Sequence, residues 1–64
     1  MISIKEMKKS EGHKAKLYFV DGDSLETYIE LYEEGQDDEE ENFLLVKDNL
    51  LINQSEIEKI EVLD

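Results

Sequence analysis

Residues 16–34 read KLYFVDGDSLETYIELYEE. Side chains of an extended chain point alternately to opposite faces. Ala15, Leu17 and Phe19 therefore share one face, and Lys16, Tyr18 and Val20 the other. Asp21-Gly22 then breaks the pattern with a strong hairpin signal, because Gly tolerates the positive φ that tight hairpin turns require. Alternation resumes more strictly beyond it. Leu25, Thr27, Ile29 and Leu31 fall on one side, and Glu26, Tyr28, Glu30 and Tyr32 on the other. A period of two sustained this long predicts a half-buried antiparallel strand. Its length implies that it bends, or is shared between two sheets as in small barrels.

Outward from this hairpin the chain remains β-rich. Residues 33–42, EEGQDDEEEN, carry seven acids and no base, and no apolar side chain. They read as a solvated loop over 34–42. NFLLVK is a continuous apolar strand, KDN can turn, and LLIN is a further strand. SEIEKIEVLD is ambiguous: Ser55 and Glu58 have capping-box spacing, yet Ile60 and Val62 alternate. One tight turn at Ser55 to Ile57 followed by a short strand is expected. Upstream, SIKEMKKSEG predicts a short helix within residues 1–12. Ser3 and Glu6 have capping-box spacing, Ile4 and Met7 share a face, Lys8 and Lys9 suit the helix dipole, and Gly12 can end it. The expected fold is mainly β: a small, strongly bent, five-stranded antiparallel sheet or open barrel over 14–63, with a short N-terminal helix, in one domain spanning 1–64.

The chain of 64 residues is near the lower limit for a self-supporting core. A domain of this size buries only about 60% of the surface exposed by its unfolded chain. It has no Cys and a single His, His13, so disulfides, thiolate metal sites and a His-rich zinc site are excluded as staples. Oligomerisation is the remedy left open. The net charge is −11, and all seven bases are Lys. Residues 1–16 hold five Lys against two acids, and residues 17–64 two Lys against sixteen acids. The second part would repel a polyphosphate ligand, since nucleic-acid binding needs cations to displace counterions. Steering favours cationic partners, although the simpler role of the charge is solubility. No apolar run approaches the length of a membrane span, and residues 1–10 lack the apolar segment of a signal peptide. The expected location is cytoplasmic.

Two segments together resemble the Sm-like family. KLYFVDGDSLETYIELYEE is similar to that family's first motif: apolar strand, Asp-Gly turn, long bent strand. NFLLVKDNLLINQSEIEKIEVL is similar to the remainder, including a closing Ile57-x-x-Ile60. The resemblance covers residues 14–63, and a preceding helix fits it. It implies that the fourth strand of one subunit pairs with the fifth of the next, giving a homo-oligomer. It also implies a ligand pocket. Asn42 stands where the family places its uridine-binding Asn, and Glu33 or Glu34 falls near its Asp. Asn53-Gln54 occupies the Arg-Gly position, and Gln54-Ser55 is the nearest match to the Lys-His pair of the family's bacterial RNA chaperone. The cation is gone, so RNA binding through that face is not expected. The ligand-site candidates are Asn42, Asn53, Gln54 and Tyr32; Tyr28, Glu26 and Glu30 are candidates for a protein contact.

No enzyme is expected. The chain has no P-loop, Rossmann fingerprint or HExxH, and no nucleophile motif accompanies His13, which reads as a surface residue. The acidic run lacks the spacing of an EF-hand, so no metal site and no cofactor are expected. The function favoured is a non-catalytic Sm-like binding and assembly module. Its rivals are an RNA-binding ring that uses another surface, such as the Lys-rich start, and an acidic nucleic-acid mimic. In the mimic, Glu26, Glu30, Glu33, Glu34 and Asp37 to Glu41 would imitate phosphates and block a basic protein.

Overall fold

The computed structural model describes residues 1–64. Helix α1 spans Ile4–Ser10, followed by strands β1 (Lys14–Phe19), β2 (Ser24–Glu33), β3 (Phe43–Val46), β4 (Leu50–Asn53) and β5 (Ile57–Val62). The strands form one antiparallel sheet in the order β4-β3-β2-β1-β5. The sheet does not close into a barrel, and β4 and β5 remain its two edges. The mainly β fold expected from the alternation is the one observed, including the short strand after a tight turn at the C-terminal end. That turn is a 3₁₀ segment at Gln54–Glu56, and another at Lys47–Asn49 joins β3 to β4.

The Asp21-Gly22 hairpin forms as its residues require. Gly22 has φ +96°, Phe19 N–H donates to Asp23 O at 2.8 Å, and the Asp21 carboxylate accepts the Asp23 N–H at 2.9 Å. The long strand β2 is shared. Its first half pairs with β1 from Lys14↔Tyr28 to Tyr18↔Ser24, and its second half pairs with β3 from Ile29↔Val46 to Glu33↔Phe43. Opposite β3 the register shifts between Ile29 and Leu31, so Glu30 is an inserted residue. Such a bulge bends the strand and reverses which residues face inward.

The reversal corrects one expectation. Strict alternation puts Tyr32 on the Glu26/Tyr28/Glu30 face, with Leu31 inward. Instead Tyr32 packs against the core, while Leu31 is exposed. The junction before β1 holds the bend: Gly12 N–H donates to Ile29 O at 2.7 Å, and Ile29 N–H donates to His13 O at 2.9 Å. Gly12 has φ +82° just past the helix, as an αL terminator does.

The core contains Ile2, Met7, Ala15, Leu17, Ile29, Leu44, Val46, Ile52 and Ile57. A second correction concerns α1. Ile4 is 40% exposed and does not share a buried face with Met7. Ser3 caps the helix by accepting the Glu6 N–H at 3.1 Å. Ile2 before the cap and Met7 in the second turn then occupy the two positions of a hydrophobic staple, and both are buried. A helix of seven residues is too short to persist alone, so this anchor is what holds it to the sheet. Ser10, the one buried polar residue, donates its hydroxyl to Met7 O at 2.7 Å.

Candidate functional site

The amide candidates come together where the acidic loop meets the β4–β5 turn. Asn42 Oδ1 accepts the Gly35 N–H at 3.0 Å, and Asn42 Nδ2 donates to Gln54 Oε1 at 3.2 Å. Gln54 Nε2 donates to Ile2 O at 2.8 Å, and the Gln54 N–H donates to Asn42 O at 2.9 Å. The two amides thus form a relay from the loop, through the turn, to the segment before α1. Their polar atoms face one another and the backbone, which uses the groups a pocket would offer to a ligand. Asn53 is occupied as well. Its side chain accepts the Glu56 N–H, and the Glu56 carboxylate accepts the Asn53 N–H at 3.1 Å, making the capping box at Asn53 and Glu56 in place of Ser55 and Glu58.

Tyr32 lies apart from a stacking position. Lys8 Nζ sits 5.8 Å from its ring centroid, and Lys8 also reaches Glu34 at 3.9 Å. The Tyr32 hydroxyl is buried without a protein hydrogen-bond partner. Burial first, and the Glu34 carboxylate second, raise its pKa above the ordinary 10.0. The ring serves as a bolt between α1 and the bent strand.

The acidic run closes on itself. Asp37 Oδ1 accepts the N–H groups of Glu39 and Glu40 at 2.9 and 3.2 Å, and Glu40 Oε2 accepts the Gln36 N–H at 3.2 Å. A Cβ on Gly35 would run into the Glu40 carbonyl, so only glycine fits that close approach. Of the acids in the run, Glu41 reaches across to the β4–β5 turn, accepting from both the N–H and the hydroxyl of Ser55 at 2.9 Å each. No group of three or more His, Asp or Glu side chains is placed to hold a metal ion.

The outer face of β5-β1-β2 places Tyr28 opposite Lys14, and Glu26 opposite Lys16. Lys16 and Lys59 lie 5.1 and 5.4 Å from the Tyr18 ring centroid, and the Tyr18 hydroxyl donates to Glu61 at 3.1 Å. Alternation put Lys16 beside Tyr18 but gave no sign of Lys59 or Glu61, which arrive through the β1–β5 register. Glu26, Tyr28 and Glu30 are all exposed, with Tyr28 at 45%. No family model, no curated protein and no solved structure matches this chain.

The two sheet edges are the other feature that stands out. Both present apolar side chains to solvent: Leu50 and Leu51 on β4 are 51% and 48% exposed, and Val62 on β5 and Leu63 after it are each 42% exposed. At the end of β5, Leu63 N–H donates to Lys14 O at 2.8 Å. The Asp64 carboxylate then accepts the Lys14 N–H at 3.1 Å and meets His13 Nδ1 at 2.9 Å. The Lys14 N–H first, and His13 second, hold the Asp64 carboxyl below its ordinary 3.8. His13 thus sits at the surface as a partner of the last residue. No helix is long and apolar enough to cross a membrane.

Proposed function

We propose that this chain is a non-catalytic assembly module of the Sm-like type, which builds homo-oligomers by pairing the β5 edge of one copy with the β4 edge of the next. The supporting observation is the pair of free edges bearing Leu50, Leu51, Val62 and Leu63. An unpaired edge is a row of backbone donors and acceptors open to another strand, and small sheet proteins usually blunt or pair it. A head-to-tail contact between two different edges generates a ring when the rotation closes. Exposed leucine and valine beside those edges add burial at about 25 cal/mol per Å² of apolar surface removed from water.

The RNA-binding alternative has less support at the family's pocket. Asn42 and Gln54 bond to each other and to the backbone, and none of these bonds involves a lysine. Solution mass by light scattering tests the assembly reading. The expected mass at micromolar concentration is a multiple of the single chain, and Leu51→Lys lowers it. A sharp monomer mass in ordinary salt overturns the reading.

A further inference from the structure

The open side of the sheet, between β4 and the β1–β2 turn, forms a trough of about 520 Å³. Phe19, Leu25, Leu50 and Ile52 line its apolar part, with Val20 and Leu51 exposed at 61% and 48%. Every charged residue lining it is acidic: Asp21, Asp23 and Glu56. None of the seven lysines of the chain contributes. Three of the lining residues belong to β4, a strand with one free edge.

Those features define a chemistry. A free edge supplies main-chain hydrogen bonds to an added strand, an apolar trough takes alternate side chains, and rim charge selects the sign of the rest. We propose that this trough docks an extended, lysine- or arginine-bearing segment of another protein, added to β4 as a strand. The proposal rests on the reading that the β4 edge accepts an added strand; a cationic strand and the β5 of a second copy compete for that one edge, and electrostatics favour the first. The β5 region of a second copy, residues 57–64, carries Glu58, Glu61 and Asp64 against the single cation Lys59. Brought to β4, it sets acids against Asp21, Asp23 and Glu56. Like charges juxtaposed across an interface disfavour a partner, and complementary ones select it. A copy pairs at β4 against this repulsion; a cationic strand pairs with its help.

Fluorescence anisotropy with short labelled peptides tests the proposal, alongside light scattering on the same samples. The probes are a peptide of alternating lysine and valine, its glutamate–valine counterpart, and a lysine peptide of equal charge with proline at alternate apolar positions, which cannot add as a strand. The lysine–valine peptide is expected to bind, and the other two are not. Binding weakens as salt rises from about 0.05 to about 0.3 M, over which the screening length falls below about 10 Å. Asp23→Lys weakens it about fivefold, the scale of an exposed ion pair. The Asp23 side chain makes no hydrogen bond within the chain, so this variant keeps its fold, which its melting curve checks. Leu51→Lys, also at an exposed position, abolishes binding through the trough.

Equal binding of the proline peptide would show attraction to net charge alone and overturn the proposal. So would failure of the lysine–valine peptide to bind, and in that case an oligomeric mass leaves the assembly reading standing. Binding by a protein that remains monomeric supports the docking site and removes the homo-oligomer instead.

Discussion

Asn42 Nδ2 and Gln54 Oε1 meet at 3.2 Å, between residues on either side of strands β3 and β4. With the bond from Gln54 Nε2 to Ile2 O, this contact joins the acidic loop, the β4–β5 turn and the segment before α1. Gln54→Ala is therefore expected to destabilise the fold by about 1 to 2 kcal/mol, because it leaves part-buried partners at Asn42 and Ile2 unsatisfied. Urea unfolding measures it. A variant as stable as the parent would mean that the relay carries no structural load and that Gln54 is free for a ligand.

The acidic run is not uniform. Glu41 accepts two hydrogen bonds from Ser55, while the Asp38 side chain makes none. Glu41→Ala is expected to cost about 0.5 to 1.5 kcal/mol. Asp38→Ser should stay within about 0.5 kcal/mol of the parent, or gain slightly from reduced self-repulsion. Equal effects from the two substitutions would show that Glu41 acts only through its charge.

Tyr32 is bent into the core with an unpartnered hydroxyl. Tyr32→Phe removes a buried polar group and keeps the ring, so it is expected to leave stability unchanged or raise it by up to about 2 kcal/mol near neutral pH. The phenol also has an alkaline signature. Its folded pKa lies above 10.0. The stability tied to keeping it neutral is full below 10.0 and is lost as pH rises through the raised value. Stability should therefore fall less steeply across that range for the Phe variant, whose lead over the parent widens; parallel losses in the two proteins would argue against burial as the cause.

The clamp at the chain's end should respond to acid. The folded Asp64 carboxyl is held below 3.8, so its contribution is complete above 3.8 and disappears as pH falls through the depressed value. Asp64→Asn is accordingly expected to melt below the parent at neutral pH, with the gap closing in acid beneath 3.8. A gap that is absent at neutral pH, or that persists unchanged in acid, would remove the ionised carboxylate from the account.

Period-two alternation on either side of Asp21-Gly22, the apolar runs 43–46 and 50–52, and the Ser3 cap were enough to specify four of the five strands and the helix. These are local preferences of backbone and side chain, and each residue's neighbours in the chain carry them. The tight turn before β5 was legible for the same reason, although its capping box closed two residues earlier, at Asn53 and Glu56. Which residues share a face past the bend was not legible. The insertion of Glu30 opposite β3 turns Tyr32 inward and Leu31 outward, and a bulge exists only relative to the strand it pairs with. Nor could helical spacing show that Ile2, outside the helix, would replace Ile4 as the partner of Met7; the sheet beneath decides which side of α1 is buried. The amide relay and the His13–Asp64 contact join residues 12 and 51 positions apart. Sequence alone determined the elements, because their causes are local. The tertiary structure decided the faces, the relay and the acidic trough, because each depends on a register between strands that no single segment contains.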